Sequence, residues 1–193
     1  MNKKNDIILK ISGGDFKGRT IYSVNTSNTR YTPQKVRAAV FSILNSYVDF
    51  QKSIFLDMCS GSGMMMFEAL SRGIPNAEAV EISPKAIATI KENIDLLGVS
   101  EKIKLFKIDI SRYIKKTDNV YNILFLDPPF NESISEKIYV NLDENTDIIA
   151  EDGVVIIEKP VKHKSYEFKN LQLIKEYSYG SIALLLYKKK GAH

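Results

Sequence analysis

Apolar and polar positions along this chain fall into two alternating rhythms. Short apolar runs at Ser53 to Asp57, Ala77 to Glu81, Ile103 to Ile108 and Tyr121 to Leu126 have the length and content of buried strands. Helical spacing fills the gaps between them. From Pro33 to Val48, the residues Val36, Val40, Phe41, Ile43 and Leu44 share one face. A second helix is expected from Met64 to about Ser71. A third is expected up to Leu97, with Ser83 as N-cap, Pro84 in its first position and Gly98 closing it. Its stripe of Ile87, Ile90, Ile94 and Leu97 is core packing and carries no chemistry. The ends of the chain read differently. Ile7 to Ile11 and Arg19 to Val24 form a small hairpin around Gly13-Gly14, followed by a polar loop, Asn25 to Arg30. Strands follow at Gly153 to Glu158, Leu171 to Tyr177 and Ser181 to Lys188, the last two as an antiparallel hairpin at the sheet edge. Strand and helix in alternation predict an α/β fold with a doubly wound, mostly parallel sheet.

Composition narrows the class without choosing a function. At 193 residues, with 44% hydrophobic and 26% charged residues, the chain suits a globular protein with a sizeable core. A single cysteine, Cys59, rules out an internal disulfide. The two histidines are late and far apart, and no His-Cys cluster exists, so no metal site is expected. No stretch reaches the roughly 18 apolar residues of a membrane span, and the N-terminus lacks a secretory pattern. A cytoplasmic monomer is the expectation. The net charge of +4 hides an asymmetry. Residues 1–37 carry eight Lys and Arg against two acids, residues 38–157 eleven against eighteen, and residues 158–193 eight against three. Basic ends around an acidic middle suit a path for a polyanion such as RNA.

The chemistry collects at the strand ends. The first of these strands runs from Asp57 into Met58-Cys59-Ser60-Gly61-Ser62-Gly63 and then into a helix. Strand, glycine loop and helix form the nucleotide-binding arrangement of doubly wound sheets, where backbone approaches ligand closely. The dinucleotide pattern fails, because Met66 stands where a third glycine or alanine belongs, and no phosphate-loop lysine follows. The next strand ends in Glu81, some twenty residues on, an offset that suits ribose hydroxyls. Ile82 follows and can pack on an adenine face. The third strand ends in Asp109 and the fourth in Asp127. Ligands of open α/β sheets bind beyond these carboxyl ends, so the four acids point to one shared cleft. The fourth strand continues as Asp127-Pro128-Pro129-Phe130. That tetrapeptide suits a planar base bearing an exocyclic amine. Phe130 stacks on the ring, while the Asp127 carboxylate and the Pro128 carbonyl accept the amine hydrogens at positions that proline holds in place.

Together, Asp57-x-x-x-Gly61-x-Gly63, Glu81, Asp109 and the Asp127 tetrapeptide resemble a class I S-adenosylmethionine-dependent methyltransferase. More closely, the chain is similar to the bacterial family that methylates the N2 amine of a guanine in 16S ribosomal RNA of the small subunit. The likeness runs from about Ile11 to Tyr187. Gly13-Gly14-Asp15-Phe16-Lys17-Gly18-Arg19 is similar to that family's N-terminal hairpin. Arg30 to Arg37 resembles its RPT-x-x-x-VRE segment, and Glu68-Ala69-Leu70-Ser71-Arg72-Gly73 its EALSRGA helix end. Departures occur at Tyr31 for proline, at Ala38 for glutamate, and in the bulky Met64-Met65-Met66-Phe67, read as a fuller core.

The resemblance implies a Rossmann-like, seven-stranded sheet. It divides the chain into a hairpin extension over residues 1–32 and a methyltransferase domain over 33–193. S-adenosylmethionine is the implied cofactor, held by Asp57, Ser60, Gly61, Gly63, Glu81, Ile82, Asp109 and Ile110. Asp127, Pro128 and Phe130 are the implied catalytic set. Lys17, Arg19, Arg30, Lys35 and Arg37 are the implied phosphate contacts, and the partner is ribosomal RNA or a partly assembled small subunit. Two alternatives stay open. One is a DNA or RNA methyltransferase acting on the N6 amine of adenine or the N4 amine of cytosine. The other is a non-catalytic RNA-binding assembly factor. A nicotinamide oxidoreductase is disfavoured by the broken glycine pattern.

Overall fold

The computed structural model describes residues 6–24, 31–129 and 131–191. An N-terminal hairpin pairs β1 (Asp6–Lys10) with β2 (Thr20–Val24). Helix α1 (Gln34–Leu44) leads into the main sheet. There β3 (Ile54–Asp57), α2 (Met64–Ser71), β4 (Asn76–Glu81), α3 (Pro84–Leu97), β5 (Ile103–Lys107), α4 (Ile110–Ile114) and β6 (Tyr121–Leu126) alternate. Helix α5 (Glu132–Glu144), β7 (Ile149–Pro160), β8 (Leu171–Tyr179) and β9 (Ile182–Lys189) complete the chain. The seven strands lie in the order β5-β4-β3-β6-β7-β9-β8. Strands β5 to β7 run parallel, and β9 and β8 return antiparallel at one edge. The fold class matches the sequence expectation. The chain winds outward from β3 through β4 and β5, then returns to the other side of β3 at β6. That reversal puts the switch point between β3 and β6, where a ligand cleft belongs.

Alternation along the strands fills two cores. Phe55, Ile123, Phe125, Val154 and Ile156 face α1, α2, α3 and the hairpin. Leu56, Leu124, Leu126, Val155 and Ile157 face α4 and α5. Burial on both faces explains why β6 reads as a continuous apolar run. Ile11 and Ile21 of the hairpin region join the first core, and Asn93 of α3 fixes Tyr22 through both its backbone N–H (2.9 Å) and carbonyl (2.7 Å).

Three boundaries differ from expectation. Helix α1 ends at Leu44, where Ser46 and Tyr47 turn back to Ile43 and Leu44 with three-residue bonds. Strand β7 begins at Ile149, before Gly153. Helix α5 has no counterpart in the apolar pattern because it buries little more than Ile138 and Leu142 among its apolar residues. Its sequence signal is the Asn131 N-cap, which accepts from the Ile134 N–H at 3.2 Å. Among the described residues, no helix is long and apolar enough to cross a membrane.

Candidate functional site

The loop after β3 is laid down by the strands on either side. The Met58 N–H bonds the Phe125 carbonyl of β6, and the Ser60 N–H bonds the Val80 carbonyl of β4. The Ser60 hydroxyl donates to the Asp57 carbonyl at 2.9 Å. Gly61 turns with φ +53°, which aims its N–H at Glu81 Oε2, 2.8 Å away. The other Glu81 oxygen accepts from the N–H groups of Ile82 (2.8 Å) and Ser83 (2.7 Å). Glu81 is thus a carboxylate fixed in place by three backbone donors. Gly63 begins α2 in a left-handed conformation and packs against Phe67 and Ile90 beneath the loop. Unlike Gly61, it does not line the cavity.

Asp57 is 2% exposed at the tip of β3, and its Oδ2 accepts from the Met66 N–H at 3.3 Å. Burial pushes its carboxyl up to about 7; the Met66 N–H opposes that rise, and nearby Glu81 adds to it. A folded pKa above the unfolded one means that the folded chain binds the extra proton. The stability this contributes is full below about pH 4 and is lost as pH rises through 7. Asp57→Asn should remove this pH dependence. Melting temperatures at pH 5 and pH 8 should differ less in the variant than in the wild type. An equal difference would mean that Asp57 ionises normally in the fold.

The strand-end acids converge. Burial pushes the Cys59 thiol up, and the charges of Asp127, Asp57, Glu81 and Asp109 push it further, so all four carboxylates lie near one side chain. Three of them, Glu81, Asp109 and Asp127, border a cavity of about 810 Å3, whose lining also includes Ile82, Ile110 and Pro128. That volume lies in the upper part of the range for small-molecule clefts, about 300–1,000 Å3, with space for more than one small ligand. Ile82 is 63% exposed on its wall. Asp109 caps α4 by accepting from the Arg112 N–H at 3.1 Å. Asp57 and Ser60 line an adjoining recess of about 70 Å3. Among the described residues, no group of three or more His, Cys, Asp or Glu is arranged to hold a metal ion. Phe130 and Arg30 lie outside the described residues.

A strap formed by Tyr31, Thr32 and Pro33 closes the other side of the cavity. The Tyr31 hydroxyl donates to the Val24 carbonyl at 2.8 Å, and the Thr32 hydroxyl to Glu158 Oε2 at 2.9 Å. Arg37 ties strap, hairpin and α2 together. Its Nη1 donates to the Thr32 carbonyl (2.7 Å), its Nη2 to the Lys10 carbonyl (2.7 Å), and its Nε to Glu68 Oε1 (3.0 Å). Arg37 is buried and has its donors engaged inside the protein, so the structure removes it from the expected phosphate contacts. Arg19 is exposed, yet its guanidinium donates to the Leu96 carbonyl at 2.9 Å and so closes α3. Lys17 and Lys35 are exposed.

Sequence reasoning missed the docking role of Glu68, Ser71 and Arg72. Glu68 is fully buried; it accepts from Ser12 N–H (2.8 Å), the Ser12 hydroxyl (2.9 Å), Arg37 and Arg72. The Ser71 carbonyl and hydroxyl receive the N–H groups of Asp15 (2.7 Å) and Phe16 (2.8 Å). A Cβ at Gly14 would stand 1.8 Å from the Ser71 carbonyl oxygen. The glycine turn and the Glu68 to Gly73 helix end are therefore two halves of one joint. Gly14→Ala should undock the hairpin, and limited proteolysis should then cut within residues 6–24. Wild-type resistance would show that the joint tolerates the methyl group.

Comparison with known proteins fits this geometry. A family model described as "conserved hypothetical protein 95" matches residues 9–188. The ribosomal RNA small subunit methyltransferase D of Buchnera aphidicola (subsp. Acyrthosiphon pisum) is 33% identical over 186 residues, covering 96% of this chain and 95% of that protein. The Escherichia coli K12 protein of the same name is 27% identical, covering 95% and 91%. Among solved structures, yhhF of Escherichia coli, described as a candidate methyltransferase, superposes with a TM-score of 0.81 at 24% identity, covering 96% of this chain and 100% of that one. That last likeness concerns the fold.

Proposed function

Since the chain belongs to the family described as conserved hypothetical protein 95, it is an S-adenosylmethionine-dependent ribosomal RNA methyltransferase, and we propose that its acceptor is the N2 amine of a guanine in small-subunit RNA. The observation that carries this reading is the convergence of three strand-end carboxylates, Glu81, Asp109 and Asp127, on one cavity that Pro128 also lines, with Asp57 in the recess beside it. The residues present suit the cofactor: its cationic sulfonium and ammonium fit an acidic cleft, and its adenosine fits a fixed carboxylate beside an exposed isoleucine.

In this reading Glu81 takes the ribose hydroxyls, Ile82 packs on the adenine, Asp109 accepts its amine, and the Ile110 N–H meets the ring. Asp57, Ser60 and Gly61 face the remaining part of the cofactor. Bound S-adenosylmethionine supplies an electrophilic methyl group. Asp127 and the Pro128 carbonyl accept the two hydrogens of the guanine amine and turn its lone pair toward that methyl, while Phe130 holds the base plane. The amine is weakly nucleophilic because its lone pair is delocalised into the ring. Orientation therefore carries much of the rate, an effect worth up to about 7–11 kcal/mol in well-oriented systems. No strong base is needed, because a methylated aryl ammonium sheds its proton readily, so Asp127 acts as orienter and stabiliser. The base leaves its stack to reach the cleft.

We further propose that residues 1–32 form an RNA-facing extension of a methyltransferase domain over 33–193. The enzyme is read as a monomer in the cytoplasm, meeting its RNA free or in a partly assembled subunit. Lys17 and Lys35 remain the phosphate contacts best supported by exposure. Lys17→Glu with Lys35→Glu should weaken RNA binding and lower the slope of log affinity against log salt by about 1–2. An unchanged slope would mean that RNA approaches elsewhere. For the cofactor, Glu81→Ala should cost about 1.5–3 kcal/mol of binding, and calorimetry giving wild-type affinity would remove Glu81 from the site. The reading as a whole is tested by mass mapping of modified nucleosides in ribosomal RNA from a strain lacking the protein. One guanine should lose its N2 methyl group and regain it with purified enzyme and cofactor; an unmodified profile in both strains would refute the reading.

A further inference from the structure

Glu158 lies on the cavity wall, 7% exposed, and plays no part in the reading above. Its place is set by the sheet. Leu126 of β6 stands in register with Ile157 of β7, and the next residues along, Asp127 and Glu158, both line the cavity. Neighbouring strands lie about 4.8 Å apart. Alternation puts both on the same face as Phe125 and Ile156. The Thr32 hydroxyl bonds Glu158 Oε2 at 2.9 Å, which fixes the direction of the carboxylate.

We propose that Glu158 determines the choice of base by accepting the N1–H of the target guanine while Asp127 holds the adjacent N2 amine. This rests on the guanine reading and deepens it. Guanine alone among the amino-bearing RNA bases has a ring N–H beside its amine; adenine and cytosine carry a ring lone pair there. Two carboxylates on one cavity wall match two adjacent donors. The same pair meets a ring lone pair with a charge that repels it. A site built to bond a substrate N–H rejects an analogue lacking it far more strongly than a shape-matched apolar pocket does. Thr32 then acts as a positioning residue, keeping the acceptor aimed before the base arrives.

The test uses the full chain and RNA ligated to carry either guanine or 2-aminopurine at the mapped target. 2-Aminopurine keeps the exocyclic amine and replaces N1–H with a lone pair. The wild type should favour guanine by at least about 100-fold in kcat/KM. Glu158→Gln, whose amide can donate to that lone pair, should shrink the ratio at least about tenfold. If the wild type treats both bases alike, the proposal is overturned without any variant. If Glu158→Gln slows both bases equally and keeps the ratio, Glu158 is a fastener for the strap and the proposal fails. Should Glu158→Gln not fold by circular dichroism, Glu158→Asp, charged but one methylene shorter, takes its place. A shrunken ratio then supports the proposal, and an unchanged one overturns it. No methyl transfer to the guanine RNA by the wild type is a separate result: it refutes the guanine reading itself, and this inference with it.

Discussion

Asp127→Ala should bind S-adenosylmethionine with nearly wild-type affinity and transfer its methyl group at least about 10²–10³ times more slowly, the loss typical when one preorganised polar group leaves a reacting centre. The split follows from position. Asp127 follows β6 directly, across the switch point from Glu81 and Asp109, so in the proposed reading its carboxylate faces the part of the cavity that the adenosine leaves open. Pro128 beside it is buried and keeps its place when the side chain goes. Single-turnover assays at saturating cofactor isolate the chemical step, and calorimetry isolates binding. A wild-type single-turnover rate would remove the chemical centre from this site. Loss of cofactor binding with the rate would instead place Asp127 among the adenosine contacts and send the base elsewhere.

Glu68→Ala should destabilise the protein by about 3–5 kcal/mol, because it leaves the buried guanidinium of Arg37 without its counter-charge. Domains are stable by only about 5–15 kcal/mol, so this removes a large share of the total. At this chain length the melting temperature should fall by roughly 10 °C. Ser12 loses two acceptors in the same change, which loosens the hairpin first. A melting temperature within about 2 °C of wild type would show that the guanidinium groups find water or other acceptors, and that the joint is held by its glycines and backbone bonds.

Much of this architecture is legible in local sequence. Strand-end acids could be read because each sits at a boundary that apolar periodicity marks, as at Asp57, Glu81 and Asp127. The cap pair Ser83 and Gly98 could be read because capping is chemistry between near neighbours, and the Ser83 hydroxyl and left-handed Gly98 stand where that chemistry requires. Interactions between distant segments were not legible. Arg37 looks like a phosphate ligand in a basic stretch, and only tertiary contact with Glu68, thirty-one residues away, turns it inward. Glu158 carried no signal, since one acid closing a strand is ordinary until it lines the same cavity as Asp127. Helix α5 was hidden because only a thin stripe of it is buried.

The joint at Gly13-Gly14 also bears on how the chain is made. A two-stranded hairpin is marginal in water by itself. Its partners are Ser71, Arg72 and Asn93, more than fifty residues downstream. Strands β1 and β2 therefore gain most of these polar partners only once α2 and α3 are in place.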